Sequence, residues 1–233
     1  MFRFKQFTIE QDACAMKVGT DGVLLGAWVP LCGSEHRVLD IGTGTGVIAI
    51  MLAQRLKSSE ITAIDIVYEC VEQARLNADN SPWGDRIKTV CSSVQQFEGD
   101  KEYDLIISNP PFFENSLKSP DSARSVARHT DTLSYTELID AVLRLLSKGG
   151  KFAIVLPYDE ARRFLMLSFR GLSLLRRVDV KTTPKRAPKR TLMLFSRSND
   201  SCEVECEELV IQTAPEQFTE QYRLLTRDFY LKF

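Results

Sequence analysis

The sequence of 233 residues holds only two histidines, His36 and His129, and six scattered cysteines with no Cys-x-x-Cys pair. A zinc site needs four nitrogen, sulfur or carboxylate ligands at clustered spacing, and this chain supplies no such cluster, so no metal is expected. Long apolar runs are also missing. The longest, Val47 to Ala53, falls far short of the roughly 20 residues that span a bilayer, which excludes a membrane helix. Charges at Arg3 and Lys5 interrupt the place where a secretory leader would carry its apolar stretch. Reduced, structural cysteines and a cytoplasmic location follow as expectations. An excess of either charge is absent too, with 30 Lys+Arg against 31 Asp+Glu. That balance removes the simplest mark of a nucleic-acid binder, although it says nothing about where the charges sit. Internal repeats and low-complexity tracts are lacking.

What is present is an alternation of short apolar strands and helical stretches. Strands are predicted at Arg37–Ile41, Ile61–Ile66, Ile87–Cys91, Tyr103–Ser108, Lys151–Leu156, Ser173–Val180 and Thr191–Arg197. Helices are predicted at Val47–Leu56, Tyr68–Asn80, Tyr135–Leu146 and Asp159–Phe169, the second with Val71, Ala74 and Ala78 inward. Lys148-Gly149-Gly150 reads as the stop of the third helix. Cys202, Val204 and Cys206 alternate with glutamates, as on one buried face of a strand. This βαβ rhythm implies a parallel sheet covered on both faces. The stretch Phe112 to Leu133 has little periodicity, and a loop of that length in a compact domain is usually functional or mobile.

Between the first strand and its helix stands Asp40-Ile41-Gly42-Thr43-Gly44-Thr45-Gly46. Glycines allow a tight turn and close approach of backbone to a ligand, and the free N–H groups of the helix start attract an anion. The third glycine comes one residue too early for a dinucleotide loop, and no Gly-Lys followed by Ser or Thr marks a P-loop. A second motif, Asn109-Pro110-Pro111-Phe112, follows the Tyr103–Ser108 strand at once. Two prolines stiffen the strand exit, where ligands sit in an open α/β sheet. The Asn109 side-chain oxygen and the Pro110 carbonyl can accept both hydrogens of a planar exocyclic amine, and Phe112 offers an aromatic face to a flipped base.

The glycine loop, with Asp65 closing the next strand, resembles the motif of S-adenosylmethionine-dependent methyltransferases. The resemblance implies an α/β, Rossmann-like class I fold: a seven-stranded, mostly parallel sheet with helices on both faces and an antiparallel final strand pair. It implies that Gly42, Thr43, Gly44 and Gly46 line the cofactor, that Asp40 lies near its amino group, that Asp65 accepts hydrogen bonds from its ribose, and that the adjoining Ile66 also belongs to the cofactor site. Many relatives carry an Asp after the third strand to read adenine. Here Ser92-Ser93 stands instead, leaving the Ser93 hydroxyl, backbone N–H groups and the apolar wall of Val94 for that task.

The N-terminal stretch Met16 to Trp28, the segment Ala127 to Leu133, the Asn-Pro-Pro-Phe motif and the end Tyr222 to Phe233 resemble the bacterial tRNA(Val) adenine-N6 methyltransferases. Those enzymes modify the adenine immediately 3′ of the anticodon. By that resemblance Asn109, Pro110, Pro111 and Phe112 are catalytic, and Lys17, Thr20 and Asp21 help close the pocket around S-adenosylmethionine. The expected partner is tRNA, through the anticodon stem-loop of tRNA(Val), and the expected state is a monomer. A single methyltransferase domain is expected over residues 1–233, with a cap at 1–36, a core at 37–200 and an extension at 201–233. Protein glutamine methyltransferases share similar motifs but carry a helical N-terminal domain, for which residues 1–36 are too few. Guanine-N2 methylation of ribosomal RNA, and a catalytically silent RNA-binding protein on the same scaffold, are the alternatives.

Nine basic residues and one acid lie between Arg170 and Arg197, whereas Ser201 to Glu220 holds six glutamates and no base. The near-neutral total is thus read as segregation, with a confined basic footprint. Lys185, Arg186, Lys189 and Arg190 fall between two predicted strands and are expected to project toward RNA. Arg124 and Arg128 in the long loop are expected to do the same beside the flipped base, with His129 next to them carrying no catalytic role.

Overall fold

The computed structural model describes residues 1–99, 102–110, 133–197 and 203–232. A short antiparallel pair, β1 (Phe2–Arg3) and β2 (Thr8–Ile9), precedes α1 (Thr20–Trp28). Then come β3 (Arg37–Ile41), α2 (Val47–Arg55), β4 (Glu60–Asp65), α3 (Tyr68–Asp79), β5 (Ile87–Cys91) and β6 (Tyr103–Ser108). After the segment 111–132 follow α4 (Tyr135–Leu145), β7 (Leu146–Pro157), α5 (Tyr158–Ser168), β8 (Ser173–Lys181) and β9 (Arg190–Ser196). The chain ends with β10 (Glu205–Val210), the small pair β11 (Gln212–Ala214) and β12 (Gln217–Phe218), and α6 (Glu220–Thr226).

The main sheet has eight strands in the order β10-β8-β9-β7-β6-β3-β4-β5. The strands β7-β6-β3-β4-β5 are parallel, and β9 runs antiparallel to both β7 and β8. The expected seven strands are present, and the eighth is β10, which joins β8 in parallel at the edge. Its residues Glu205, Cys206, Glu207 and Glu208 are all exposed, and only Leu209 is buried. The alternation seen around Cys206 therefore does mark a strand, but its cysteine face looks to solvent; Cys202 lies outside the described residues. An edge strand gains its place from backbone pairing and from charge, here Arg176 with Glu205 and Glu207 (3.4 and 2.6 Å) and Lys181 with Glu208 (2.5 Å).

A second correction concerns Lys148-Gly149-Gly150. These residues lie inside β7, and α4 already ends at Leu145, with Leu146 in extended backbone. Neither glycine has positive φ, so no left-handed helix stop forms there. The start of α4 is firmly set instead: Ser134 and Glu137 form a reciprocal capping box.

Apolar side chains pack on both faces of the sheet. One layer buries α1 and α2 with Leu105, Ile107, Val155 and Leu194. The other buries α4 and α5 with Leu39, Ile106, Phe152, Ile154 and Phe195. On α3, Val71, Ala74 and Ala78 are buried while Arg75 and Asp79 are exposed, as their helical spacing predicts. The first and last segments meet: the Lys5 amide donates to the Phe229 carbonyl (2.8 Å), and the Phe2, Phe4 and Tyr230 rings lie against one another. Among the described residues no helix is long and apolar enough to cross a membrane.

Candidate active site

Strand order reverses beside β3: the chain goes out through β4 and β5 on one side of it and then returns to place β6 on the other. The crevice at the carboxyl ends of such strands is where an open α/β sheet takes its ligand. Ile41 and Ser108 end β3 and β6 side by side, and the Ser108 hydroxyl donates to the Ile41 carbonyl at 2.9 Å. The glycine loop springs from one strand and Asn109 from the other.

Gly42, Gly44 and Gly46 all have positive φ, of 72°, 54° and 81°. They serve two different needs. A Cβ on Gly42 or Gly44 would meet nothing within 4 Å, so both face open space over the crevice. A Cβ on Gly46 would press on Ala74 of α3 at 3.2 Å, so this glycine lets helix and loop close up. The loop is held from below: the Gly42 and Thr43 amides both donate to the Ile64 carbonyl at 2.9 Å. Asn77 of α3, fully buried, gives its side-chain amide to the Thr45 and Glu10 carbonyls (2.8 Å each) and accepts from the Glu10 amide. Nothing in the sequence singles out Asn77, one of two polar residues, with Gln73, on the buried face of α3.

Two carboxylates frame the loop. Asp40 is wholly buried; the Thr43 hydroxyl donates to one of its oxygens at 2.7 Å, and the other has no hydrogen bond of good geometry among the described residues, the Ala49 amide being only a weak neighbour. Burial pushes its carboxyl up to about 7, against the pull of the Thr43 hydrogen bond and with help from the nearby charge of Asp65. Asp65 accepts from the Gly44 amide at 2.9 Å and from the Val67 amide at 3.0 Å, one bond to each oxygen. Each oxygen keeps a second lone pair for a further donor. Beside it Ile66 and Tyr68 stand exposed, forming an apolar shelf to which Tyr68 adds a ring that periodicity alone assigns to the helix surface.

Past β5, the Ser93 carbonyl and hydroxyl accept from the Phe97 and Gln96 amides, which leaves the hydroxyl hydrogen available. Val94 is buried, and the Arg144 guanidinium of α4 clamps the Val94 and Phe97 carbonyls at 2.8 and 2.7 Å. Arg144 is a further positioning residue that its sequence context, an exposed helix position, does not reveal.

Asn109 is partly buried, and its side-chain oxygen has no hydrogen-bond partner among the described residues. Leaving such an acceptor unpaired is unfavourable by about 1–3 kcal/mol, which suits a site built to receive a donor. The first turn of α1 roofs it: a Cβ at Gly22 would lie 3.7 Å from the Asn109 amide nitrogen. Pro110 is buried behind it. Pro111, Phe112, Arg124, Arg128 and His129 lie outside the described residues. Of the other residues expected at the mouth, Lys17 and Thr20 are exposed. Asp21 binds the Arg190 guanidinium at 2.7 Å.

That bridge sets Arg190, expected to project toward RNA, apart from its neighbours in the turn. It starts β9 and braces α1 from the side, whereas Lys185, Arg186 and Lys189 in the β8–β9 turn are exposed and make no ion pair among the described residues. Segregation of charge is corrected by further ion pairs. Arg176 and Lys181 are paired with β10 glutamates, and Arg177 with Asp179. The glutamate-rich segment lies on the basic strand and neutralises it, so between β8 and β9 the exposed cations without an ion pair among the described residues are those of the turn. Pro157 pairs with Arg190, and Arg190 with Val180, so this turn leaves the sheet at the same carboxyl edge as the glycine loop. It stands two strands, about 10 Å, from β6.

The weakly partnered Asp40 oxygen, the open space over Gly42 and Gly44 and the spare lone pairs of Asp65 fit a ligand with an ammonium group at one end and hydroxyls at the other. S-adenosylmethionine has that pattern. Among the described residues no group of three or more His, Cys, Asp or Glu could hold a metal ion.

Similar proteins agree with this arrangement. The methyltransferase small domain family matches residues 22–177. In solved structures the fold recurs in a predicted O-methyltransferase from Agrobacterium tumefaciens, with a TM-score of 0.73 at 18% identity, covering 90% of this chain and 96% of that one. It recurs also in the glycopeptide N-methyltransferase MtfA complexed with (S)-adenosyl-L-methionine, with a TM-score of 0.56 at 14% identity over 78% and 90%. Full-length relatives are much nearer in sequence. A tRNA1(Val) (adenine(37)-N6)-methyltransferase of Bacteroides fragilis is 48% identical over 99% of this chain and 98% of its own. One of Trichodesmium erythraeum is 48% identical over 100% and 98%. With the motifs at the switch point of a class I methyltransferase sheet and identity running end to end, the chain belongs to the tRNA1(Val) (adenine(37)-N6)-methyltransferase family.

Proposed function

We propose that this protein transfers the methyl group of S-adenosylmethionine to the exocyclic N6 of an adenine in tRNA, the adenine 3′ of the anticodon of tRNA(Val). The observation that carries the reading is the Asn109 oxygen, unpartnered among the described residues, at the end of β6, beside the glycine cradle and under α1. An adenine amine has two N–H bonds. Asn109 takes one and the Pro110 carbonyl the other, which fixes the plane of the amine and turns its lone pair toward the methyl donor. This is catalysis by positioning and preorganised dipoles.

The sulfonium cofactor supplies an electrophilic methyl group. Around it the chain binds and orients: Asp40 receives an ammonium, Asp65 accepts from ribose hydroxyls, and the backbone of Gly42 and Gly44 admits the chain between them. Ile66, Ser93 and Val94 bound the adenine end, and Lys17, Thr20 and Asp21 line the mouth. Phe112 stacks on the extruded base. The three exposed cations of the β8–β9 turn hold phosphates of the anticodon arm. Residues 1–233 act as one methyltransferase unit, monomeric and cytoplasmic.

The test is transfer of tritiated methyl groups to total tRNA and to total ribosomal RNA, followed by nucleoside analysis. Label is expected as N6-methyladenosine in tRNA; label as 2-methylguanosine in ribosomal RNA overturns the reading. Asn109→Ala is expected to lose at least a thousandfold in turnover while S-adenosylmethionine affinity, measured by calorimetry, changes no more than a few-fold. Normal methylation by that variant removes the role given to the side chain.

A further inference from the structure

We propose that the outer face of α5 is a second RNA-binding surface, which takes the phosphate backbone of the helical arm beyond the methylated loop. The inference rests on the tRNA reading above and extends it to a surface that reading does not use. Two faces of α5 differ sharply. Ala161, Phe164 and Ser168 are buried, with Phe164 packed against Phe152 and Phe195. Arg162, Arg163 and Met166 lie on the other side, Phe169 and Arg170 follow in the turn that ends the helix, and all five are exposed.

A run of exposed charge is by itself an ordinary solvated surface. Here it is interleaved with large apolar groups. Phe169 is 84% exposed and Met166 69%, and Phe169 is the most exposed large apolar side chain among the described residues. Arg162 and Arg170 make no ion pair among the described residues. Arg163 forms one ion pair among the described residues, with Glu160 at 2.8 Å; Glu160 is half-buried and also accepts from the Tyr135 hydroxyl, while the Arg163 side chain is exposed and keeps donors free for a phosphate. Asp159, at the first turn, is the one exposed acid on this face. The surplus is cationic, and guanidinium groups suit phosphate by their planar, two-pronged geometry. Apolar groups between them match ribose faces, which RNA exposes in its shallow groove.

Position selects the duplex arm as the occupant. α5 begins where β7 leaves the carboxyl edge, and the Tyr158 amide donates to the Lys189 carbonyl of the basic turn at 3.2 Å. The Arg177 guanidinium of β8 lies over the Tyr158 ring at 5.5 Å and ties the helix start to that strand as well. From there α5 runs back along the flank of the sheet for about 16 Å, enough to meet several phosphates of one strand. A base in the crevice, a loop on the turn and a stem along α5 therefore lie on one continuous path.

The experiment compares intact tRNA with an isolated anticodon stem-loop, using the full chain with Arg162, Arg163 and Arg170 all changed to Glu. KM for intact tRNA is expected to rise at least tenfold. The slope of log affinity against log salt is expected to become shallower by about 2 to 3. Turnover at saturating RNA and S-adenosylmethionine affinity should stay at wild-type values, which also shows the variant folded. Met166→Ser with Phe169→Ser should raise KM a few-fold and leave the salt slope alone. Wild-type KM and slope in the triple Glu variant, with tRNA still methylated by the unmodified protein, overturn the α5 surface and leave the tRNA reading standing. A protein that dimerises in sedimentation, and is made monomeric by the Ser changes with tRNA KM unaltered, assigns the face to a second copy and overturns it too. Absence of N6-methyladenosine in tRNA with the unmodified protein overturns both readings.

Discussion

Asp40 shows how one buried side chain can set a pH dependence. Its carboxyl, ordinarily near 3.8, is raised to about 7 by burial. Between those values the folded protein keeps a proton that the unfolded chain has released. The stabilisation is thus full below about pH 4 and is lost as pH rises toward 7. A shift of about three units corresponds to roughly 4 kcal/mol at most. Binding an ammonium-bearing cofactor requires the ionised form and runs the other way. Calorimetric affinity for S-adenosylmethionine should increase several-fold from about pH 6 to 8, while the melting temperature of the protein alone falls over the acid part of that range. Asp40→Asn should flatten both curves; a variant that keeps the wild-type slopes places their origin elsewhere. The motif made Asp40 and Asp65 legible in the sequence. Asn77 and Arg144 were not, because each acts through backbone carbonyls contributed by distant parts of the chain, which no local pattern records.

At the scale of elements, the glycine loop separates two effects that one motif conceals. Gly46→Ala forces a residue with a side chain into φ 81° against Ala74, so it should lower stability by about 2 kcal/mol, read from denaturant unfolding. Gly44→Ala sits in open space, so stability should fall by only about 1 kcal/mol while S-adenosylmethionine affinity drops at least tenfold. Equal losses of both kinds in the two variants contradict this division. Strands β3, β5 and β6 were legible to their end residues, because apolar runs there are bounded by breakers. The beginning of β7 was hidden by Lys148-Gly149-Gly150, which has the composition of a helix stop but the backbone of a strand. The place of β10 was hidden for a different reason: ion pairs with β8 convert a solvent-facing acidic stretch into a sheet edge.

On the scale of the whole molecule, charge is arranged by pairing. Once β10 has neutralised β8, the exposed cations of the β8–β9 turn remain at the carboxyl edge. Changing Lys185, Arg186 and Lys189 to Ala should weaken tRNA binding about tenfold and reduce its salt slope by about 2 to 3, with S-adenosylmethionine affinity unchanged. Arg190→Ala should differ from these in kind. It releases Asp21 at the mouth of the crevice, so cofactor affinity should fall along with RNA affinity. A change confined to RNA binding places Arg190 with the turn after all. The meeting of Phe2, Phe4 and Lys5 with Phe229 and Tyr230 has a consequence in time. Residues 2–5 are made long before Phe229 and Tyr230, which cover them, and stay unburied in the meantime. The stretch at Glu10 that Asn77 ties to the glycine loop therefore acquires its outer packing only once those two rings are in place. Cofactor binding by a nascent chain should switch on abruptly as Phe229 and Tyr230 become free to pack.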